Sequence, residues 1–128
     1  MIVADTDVLI DYLTGRSPAA DRVTQELAHG RLHTTAISRY ELLAGARDSR
    51  EEKIMQALLA SLPCLPLDSV AADRAVVVRR FLDKTGQPIG MADSLIAGMV
   101  LAHNAVLLTR NRRHFLGVPG LLLADAEE

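Results

Sequence analysis

Met1-Ile-Val-Ala-Asp-Thr-Asp-Val-Leu-Ile-Asp11 decides the fold, because a short apolar run stops at a carboxylate and an apolar helical pattern begins at once. Ile2, Val3 and Ala4 suit a parallel strand buried on both faces, where apolar residues run without alternation. Val8, Leu9, Tyr12 and Leu13 then recur at helical spacing, so the chain must turn sharply after Ala4. Asp5 therefore stands at the carboxyl end of a strand, where open α/β sheets hold their ligands. The same residue, or Thr6, can instead cap the helix by accepting from its free N–H groups. Both readings stand at this point.

The rest of the chain narrows the class. Its 128 residues predict a single domain, 1–128, large enough to bury a core without disulfides or a structural metal. Hydrophobic residues make up 49% and aromatics 3%, so that core must be aliphatic. Fourteen Lys and Arg against sixteen Asp and Glu leave a net charge of -2, which excludes a strongly basic coat and confines any nucleic acid to a local patch. The lone cysteine, Cys64, cannot form an intramolecular disulfide and reads as buried packing. No apolar stretch reaches the length of a membrane span, and no charged segment precedes the first apolar run. A cytoplasmic protein is expected.

In chain order, Gly15 and Pro18 separate the first helix from a second over 19–29, ended by His29-Gly30, with His29 suited to the helix C-terminus. A Thr-rich strand is predicted over 31–36. Ser38 and Glu41 then have the spacing of a capping box, with Tyr40, Leu43 and Ala44 as the inward stripe and Leu42 broadening it. Ser49 and Glu52 repeat that spacing before a helix over 50–61 with Ile54, Leu58 and Leu62 inward. Two prolines within 62–67 suit an edge strand. Asp68-Ser69 opens a helix to about residue 84, with Val70, Ala71, Val77, Val78, Phe81 and Leu82 as its buried set. A turn-rich loop at 85–90 leads to a mostly buried helix over 91–104 with Asp93 in its first turn and Asn104 at its end. Residues 105–109 form the cleanest strand, followed by a polar loop at 110–114, a turn at 115–120 and a last strand at 121–124. Strands alternating with helices predict a mainly parallel sheet covered on both faces.

Asp5 ends a strand, while Glu41 and Asp93 begin helices that should open on the same sheet edge. Three carboxylates without basic partners repel one another in an enclosed site, and a divalent cation relieves that repulsion. All-oxygen ligation, with no Cys/His cluster or zinc spacing in the chain, selects Mg²⁺ or Mn²⁺. Such ions can activate water and neutralise a phosphodiester transition state.

Four stretches, Val3-Ala-Asp-Thr-Asp-Val-Leu-Ile-Asp11, Ile37-Ser-Arg-Tyr-Glu-Leu-Leu-Ala-Gly-Ala46, Ala92-Asp-Ser-Leu-Ile-Ala97 and Leu107-Leu-Thr-Arg-Asn111, resemble in order the four motifs of PIN-domain proteins. More narrowly the chain is similar to VapC-type toxins of toxin–antitoxin pairs. The resemblance implies a three-layer α/β/α fold and a Mg²⁺- or Mn²⁺-dependent endoribonuclease. It also implies homodimerisation and inhibition by a VapB-type antitoxin, in heterotetramers or larger assemblies. Asp5, Glu41 and Asp93 match the family's metal-binding acids, and Asp7 falls where Asn, Ser or Asp is accepted and can reinforce them. Asn111 falls on the fourth acidic position, and His114 on a further position commonly acidic before Phe. A neutral amide supplies no charge, which weakens the case for a second ion more than for one. Thr6 and Thr109 are expected to hydrogen-bond the acids, although capping explains each nearly as well. Arg110, Arg112 and Arg113 are expected to meet RNA phosphate, against the alternative of a solvated loop. With two Phe and two Tyr, base stacking would be sparse.

Two rival readings remain. Asp5-Thr-Asp-Val8 also fits the opening motif of haloacid-dehalogenase-like phosphatases, in which Asp5 would be the nucleophile and Asp7 the acid/base partner. Alternatively, Asn111 could mark a weakened PIN-like site that binds partners without catalysis.

Overall fold

A computed structural model describes residues 1–126; the last two residues of the expected domain 1–128 lie outside it. Strand β1 (Ile2–Ala4) feeds helix α1 (Thr6–Leu13), which is followed by α2 (Ala19–Ala28), β2 (Leu32–Thr35), α3 (Ala36–Ala44), α4 (Ser49–Ala60) and β3 (Cys64–Leu65). The second half comprises α5 (Ser69–Lys84), α6 (Met91–Ala102), β4 (Val106–Leu108), the single turn α7 (Arg112–Phe115) and β5 (Leu122–Ala124). The sheet order is β3-β2-β1-β4-β5, and every pairing is parallel.

Both sheet faces are covered, as the unalternating apolar strands require. Ala4 and Leu108 point to one layer, packed with Val8, Leu9, Val23, Leu42, Leu58 and Leu59. Their neighbours Val3 and Leu107 point to the other, packed with Val78, Leu82, Ile96, Val100 and Phe115. The expected three-layer α/β/α arrangement therefore holds. The chain leaves β1 toward β2 and β3, then returns to the opposite side of β1 through β4. The crevice at that reversal lies between the carboxyl ends of β1 and β4.

Several local expectations give way to stronger constraints. Helix α3 begins at Ala36, capped by Thr35, whose hydroxyl accepts from the Ser38 N–H at 3.1 Å. Ser38 is thus in the first turn and Glu41 in the second, so the apparent capping box is not one. The buried residue of this helix's apolar set is Leu42; Tyr40 is 71% exposed and Ala44 also faces solvent. Likewise Asp48, not Ser49, caps α4 by accepting from the Glu51 N–H, and Ile54 is exposed. Cys64 is exposed, contrary to the expectation of buried packing, because β3 is a two-residue edge strand.

On α5 the buried set is Ala71, Ala75, Val78 and Leu82, a single narrow helical stripe, while Val70, Val77 and Phe81 are exposed. The small residues allow α6 to approach closely. A Cβ added at Gly98 would lie 2.5 Å from the Ala71 carbonyl oxygen and 2.6 Å from the Ala75 nitrogen. The polar loop predicted at 110–114 also contains a helical turn, α7, anchored by buried Phe115. His29 ends α2, its ring Nδ1 2.8 Å from the Gln25 carbonyl oxygen. Asn104 adopts the left-handed conformation after α6, with φ 49°.

Candidate active site

Asp5 occupies the reversal point between β1 and β4. Its backbone N–H donates to the Leu108 carbonyl at 2.9 Å, so the residue is still tied to the sheet. Its side chain caps α1, with Oδ1 accepting from the Thr6 N–H at 2.8 Å. The other oxygen, Oδ2, accepts from the Thr109 hydroxyl at 2.7 Å. The two readings of Asp5, helix cap and site residue, are therefore compatible: one oxygen caps while the carboxylate remains at the crevice.

Asp7 stands beside it in the first turn of α1. Its Oδ2 accepts from the Arg110 N–H at 3.1 Å and lies 3.4 Å from the Thr109 hydroxyl, whose proton is committed to the nearer Asp5. Its Oδ1 is buried and has no hydrogen-bond partner among the described residues. Thr6 reaches the other way. Its hydroxyl donates to Glu41 Oε1 at 2.6 Å and lies 2.9 Å from Ser38 Oγ, so one residue links the segment after β1 to α3. Asp93, in the first turn of α6, has its Oδ2 3.1 Å from His114 Nδ1 on α7.

The electrostatics are those of a crowded anionic crevice. Burial pushes the Asp5 carboxyl up to about 6, the Asp7 charge adds to this, and the more weakly felt Asp93 charge adds again; the Thr109 and Thr6 bonds oppose them. Burial likewise raises Asp7, opposed by the Arg110 N–H and its nearby charge. Among the described residues no three His, Cys, Asp or Glu side chains form a ready metal-ligand group. Yet the unpartnered Asp7 Oδ1 and the raised Asp5 carboxyl both call for positive charge. The donors are oxygens with one imidazole nearby, which fits a hard divalent cation.

The three arginines do not share one role. Arg110 turns inward, its Nε 2.7 Å from Asp11 Oδ2. Arg112 is half-buried with its Nη1 unpartnered, and Arg113 is exposed. Asn111 is exposed and donates its backbone N–H to the Thr109 hydroxyl oxygen at 3.0 Å. A surface pocket beside Asp93 is lined by Arg113, His114, Ile89 and Gly90. One participant escaped the sequence reading. Asp11 is 4% exposed and anchors Arg110; its position one turn after Asp7 on α1 was the available signal. His114, singled out in the sequence only as standing at a position commonly acidic in the family, meets Asp93, a contact that no spacing announces.

Comparison with known proteins agrees with this architecture. The PIN domain family matches residues 2–121. Ribonuclease VapC10 of Mycobacterium tuberculosis (strain ATCC 25618 / H37Rv) is 34% identical over 115 residues, covering 90% of this chain and 86% of the relative. The tRNA(fMet)-specific endonuclease VapC of Shigella flexneri is 28% identical over 125 residues, covering 94% of each chain. Among solved structures, VapBC-1 from nontypeable Haemophilus influenzae superposes with a TM-score of 0.84 at 30% identity, covering 100% of each chain. DNA-bound VapBC from Salmonella typhimurium gives 0.85 at 25% identity, covering 98% of this chain and 97% of that one. With the sheet order, the paired acids at its reversal point and these relatives in agreement, the chain belongs to the PIN-domain family and, within it, to the VapC-type proteins.

Proposed function

We propose that this protein is a VapC-type toxin, a divalent-metal-dependent endoribonuclease that hydrolyses RNA phosphodiesters and is neutralised by a VapB-type antitoxin. The observation that carries the reading is the Asp5 carboxyl, buried at the reversal point of the sheet beside Asp7, whose Oδ1 is buried with no partner among the described residues. Such a group is costly to keep ionised unless a cation joins it. The names of the relatives, ribonuclease and endonuclease, support the chemistry, and the VapBC complexes among the solved structures support the partner.

Asp5 and Asp93 would hold the cation, with Glu41 and Asp7 reinforcing them. When bound, Mg²⁺ or Mn²⁺ supplies Lewis acidity toward the phosphate and lowers the pKa of water. The chain's own residues supply orientation. Thr109 and the Thr6 N–H fix the Asp5 carboxylate, and the Thr6 hydroxyl fixes Glu41. Glu41 is exposed, and its carboxylate can accept a proton from the attacking water. Arg112 and Arg113 offer guanidinium groups to the RNA backbone, whereas Arg110 acts chiefly through Asp11 and through its N–H bond to Asp7. Asn111 holds Thr109 through its backbone and adds no charge for a second ion. A homodimer, bound by antitoxin into heterotetramers or larger assemblies in the cytoplasm, completes the reading. Among the described residues no helix is long and apolar enough to cross a membrane.

The phosphatase alternative has no observation in its favour, since the chain belongs to a different family. The test is RNA cleavage by purified protein with Mg²⁺ or Mn²⁺ and with excess chelator. The expected result is cleavage that the chelator stops and that Asp5→Asn abolishes in a folded protein. Chelator-resistant cleavage would overturn the metal-dependent reading, and full toxicity of a cleavage-dead Asp5→Asn would favour a binding module.

A further inference from the structure

We propose that the pocket beside Asp93 is a nucleobase subsite, which takes a purine of the RNA strand next to the scissile phosphate and reads its edge with Gln87 and Arg113. The assignment rests on the metal-nuclease reading of the adjoining acids and deepens it. The loop between α5 and α6, residues 85–90, forms one wall of the pocket, and α7 with Leu116 and Gly117 forms the other. Asp93 lines the pocket and its charge is felt at Asp5, so a ligand seated here lies against the acidic crevice.

Both walls are fixed from below. Leu82 is 1% exposed and supplies an apolar floor, with Ile89 half-buried beside it. The loop is tied to that floor by the Gln87 N–H, which donates to the Leu82 carbonyl at 2.8 Å. Gly117 leaves room for the Gln87 amide, because a Cβ built there would collide with its Oε1. On the far wall, the contact of His114 Nδ1 with Asp93 Oδ2 at 3.1 Å fixes the imidazole plane, while the side chain stays 56% exposed. With Phe115 buried in the core, the His114 ring is the flat surface on which a base can stack.

Size and chemistry choose the occupant. The pocket encloses about 360 Å³, room for a bicyclic base. Its free polar side chains are the Gln87 amide and the Arg113 guanidinium, neither of which has a partner among the described residues. N7 and the group on C6 of a purine form an edge that such side chains match with paired hydrogen bonds, glutamine on adenine and arginine on guanine. A pyrimidine has no N7 and loses one bond of the pair. The Asp93 carboxylate in the wall disfavours a phosphate in the same place, whereas a neutral ring meets no such repulsion.

The test maps the cuts made in a randomised single-stranded RNA pool by the full chain as wild type, Gln87→Ala and Gly117→Ala, with folding checked by circular dichroism. Preference is the purine-to-pyrimidine ratio beside the cut within each protein's own products, so overall rate does not enter. Wild type is expected to favour purine at one flanking position by about tenfold, and each variant to lower that ratio at least about threefold. Gln87→Ala removes the amide, and Gly117→Ala displaces it. In parallel, nitrogen-15 NMR spectra of the metal-free protein are titrated with GMP, AMP and CMP. The Gly117 backbone and Gln87 side-chain amide signals should shift more with GMP or AMP than with CMP, and this comparison decides if a variant no longer cuts. Wild-type cuts without a flanking purine preference, or a preference that either variant keeps, would overturn the subsite; a pocket that takes an antitoxin side chain gives the second pattern. Equal shifts with purine and pyrimidine nucleotides would also overturn it. These outcomes leave the nuclease reading standing, because RNA is still cut. Absence of chelator-sensitive cleavage by wild type would overturn both.

Discussion

Asp5 caps α1 and is also a deeply buried acid of the site, and the second condition has a measurable cost. Its carboxyl titrates near 3.8 in an ordinary setting and near 6 in the folded protein. Between those values the folded state holds more protons than the unfolded one, so stability falls as pH rises through that window. Above it the fold carries a buried charge costing on the order of 3 kcal/mol. Asp5→Asn should therefore melt higher than wild type at pH 7.5 without added cation, and should lose this component of the pH dependence. Differential scanning calorimetry between pH 4 and pH 7.5 measures both; identical profiles for the two proteins would contradict the burial argument. Asp11 presents the opposite case. It is buried and its partner Arg110 is half-exposed, so Asp11→Ala should cost about 1–2 kcal/mol in urea denaturation. It should also slow cleavage, because Arg110 holds Asp7 through its N–H. The candidate acids were legible in the sequence one by one, from their positions at strand ends and helix starts. Asp11 was not, nor were the contacts of Ser38 with Thr6 and of His114 with Asp93, because they join elements distant in the chain.

At the scale of the element, α3 shows why local patterns mislead. Ser38-x-x-Glu41 fits a capping box, but β2 delivers Thr35 to the cap, three residues before the serine, and the helix starts at Ala36. That shift releases Glu41 from capping and lets it meet Thr6. Thr35→Ala should destabilise the protein by about 1 kcal/mol through loss of the cap, whereas a Ser38→Ala change would leave that cap intact. On α5 the sequence offers two apolar stripes, and amphipathicity cannot say which is covered. The stripe that is buried contains Ala71 and Ala75, because their small size admits Gly98 of α6. Gly98→Ala would drive a methyl into the Ala71 carbonyl and the Ala75 backbone, two groups that cannot swing aside. Thermal denaturation should register a loss of about 1–3 kcal/mol. An unchanged melting temperature would mean that α5 and α6 pack less tightly than described.

For the whole molecule, the strand order does more than any single residue. Reversal of the chain at β1 brings the segments after β1 and β4 side by side, and both ends of the Asp5–Thr109 bond follow from it. The layered fold was readable from the alternation of strands and helices, as was the placement of the two-proline segment at the sheet edge. The outward aspect was less readable: Tyr40, Val77 and Phe81 are apolar or aromatic and exposed, and hydropathy alone assigned them inward. The central claim is that Asp5 and Asp93, carried on separate halves of the chain, act on one cation to cleave RNA. It is tested most directly by comparing RNA cleavage by wild type and Asp93→Asn at the same Mn²⁺ or Mg²⁺ concentration, with folding checked by circular dichroism. The account predicts a loss of about a hundredfold or more in the variant. Wild-type cleavage rates in folded Asp93→Asn would contradict it.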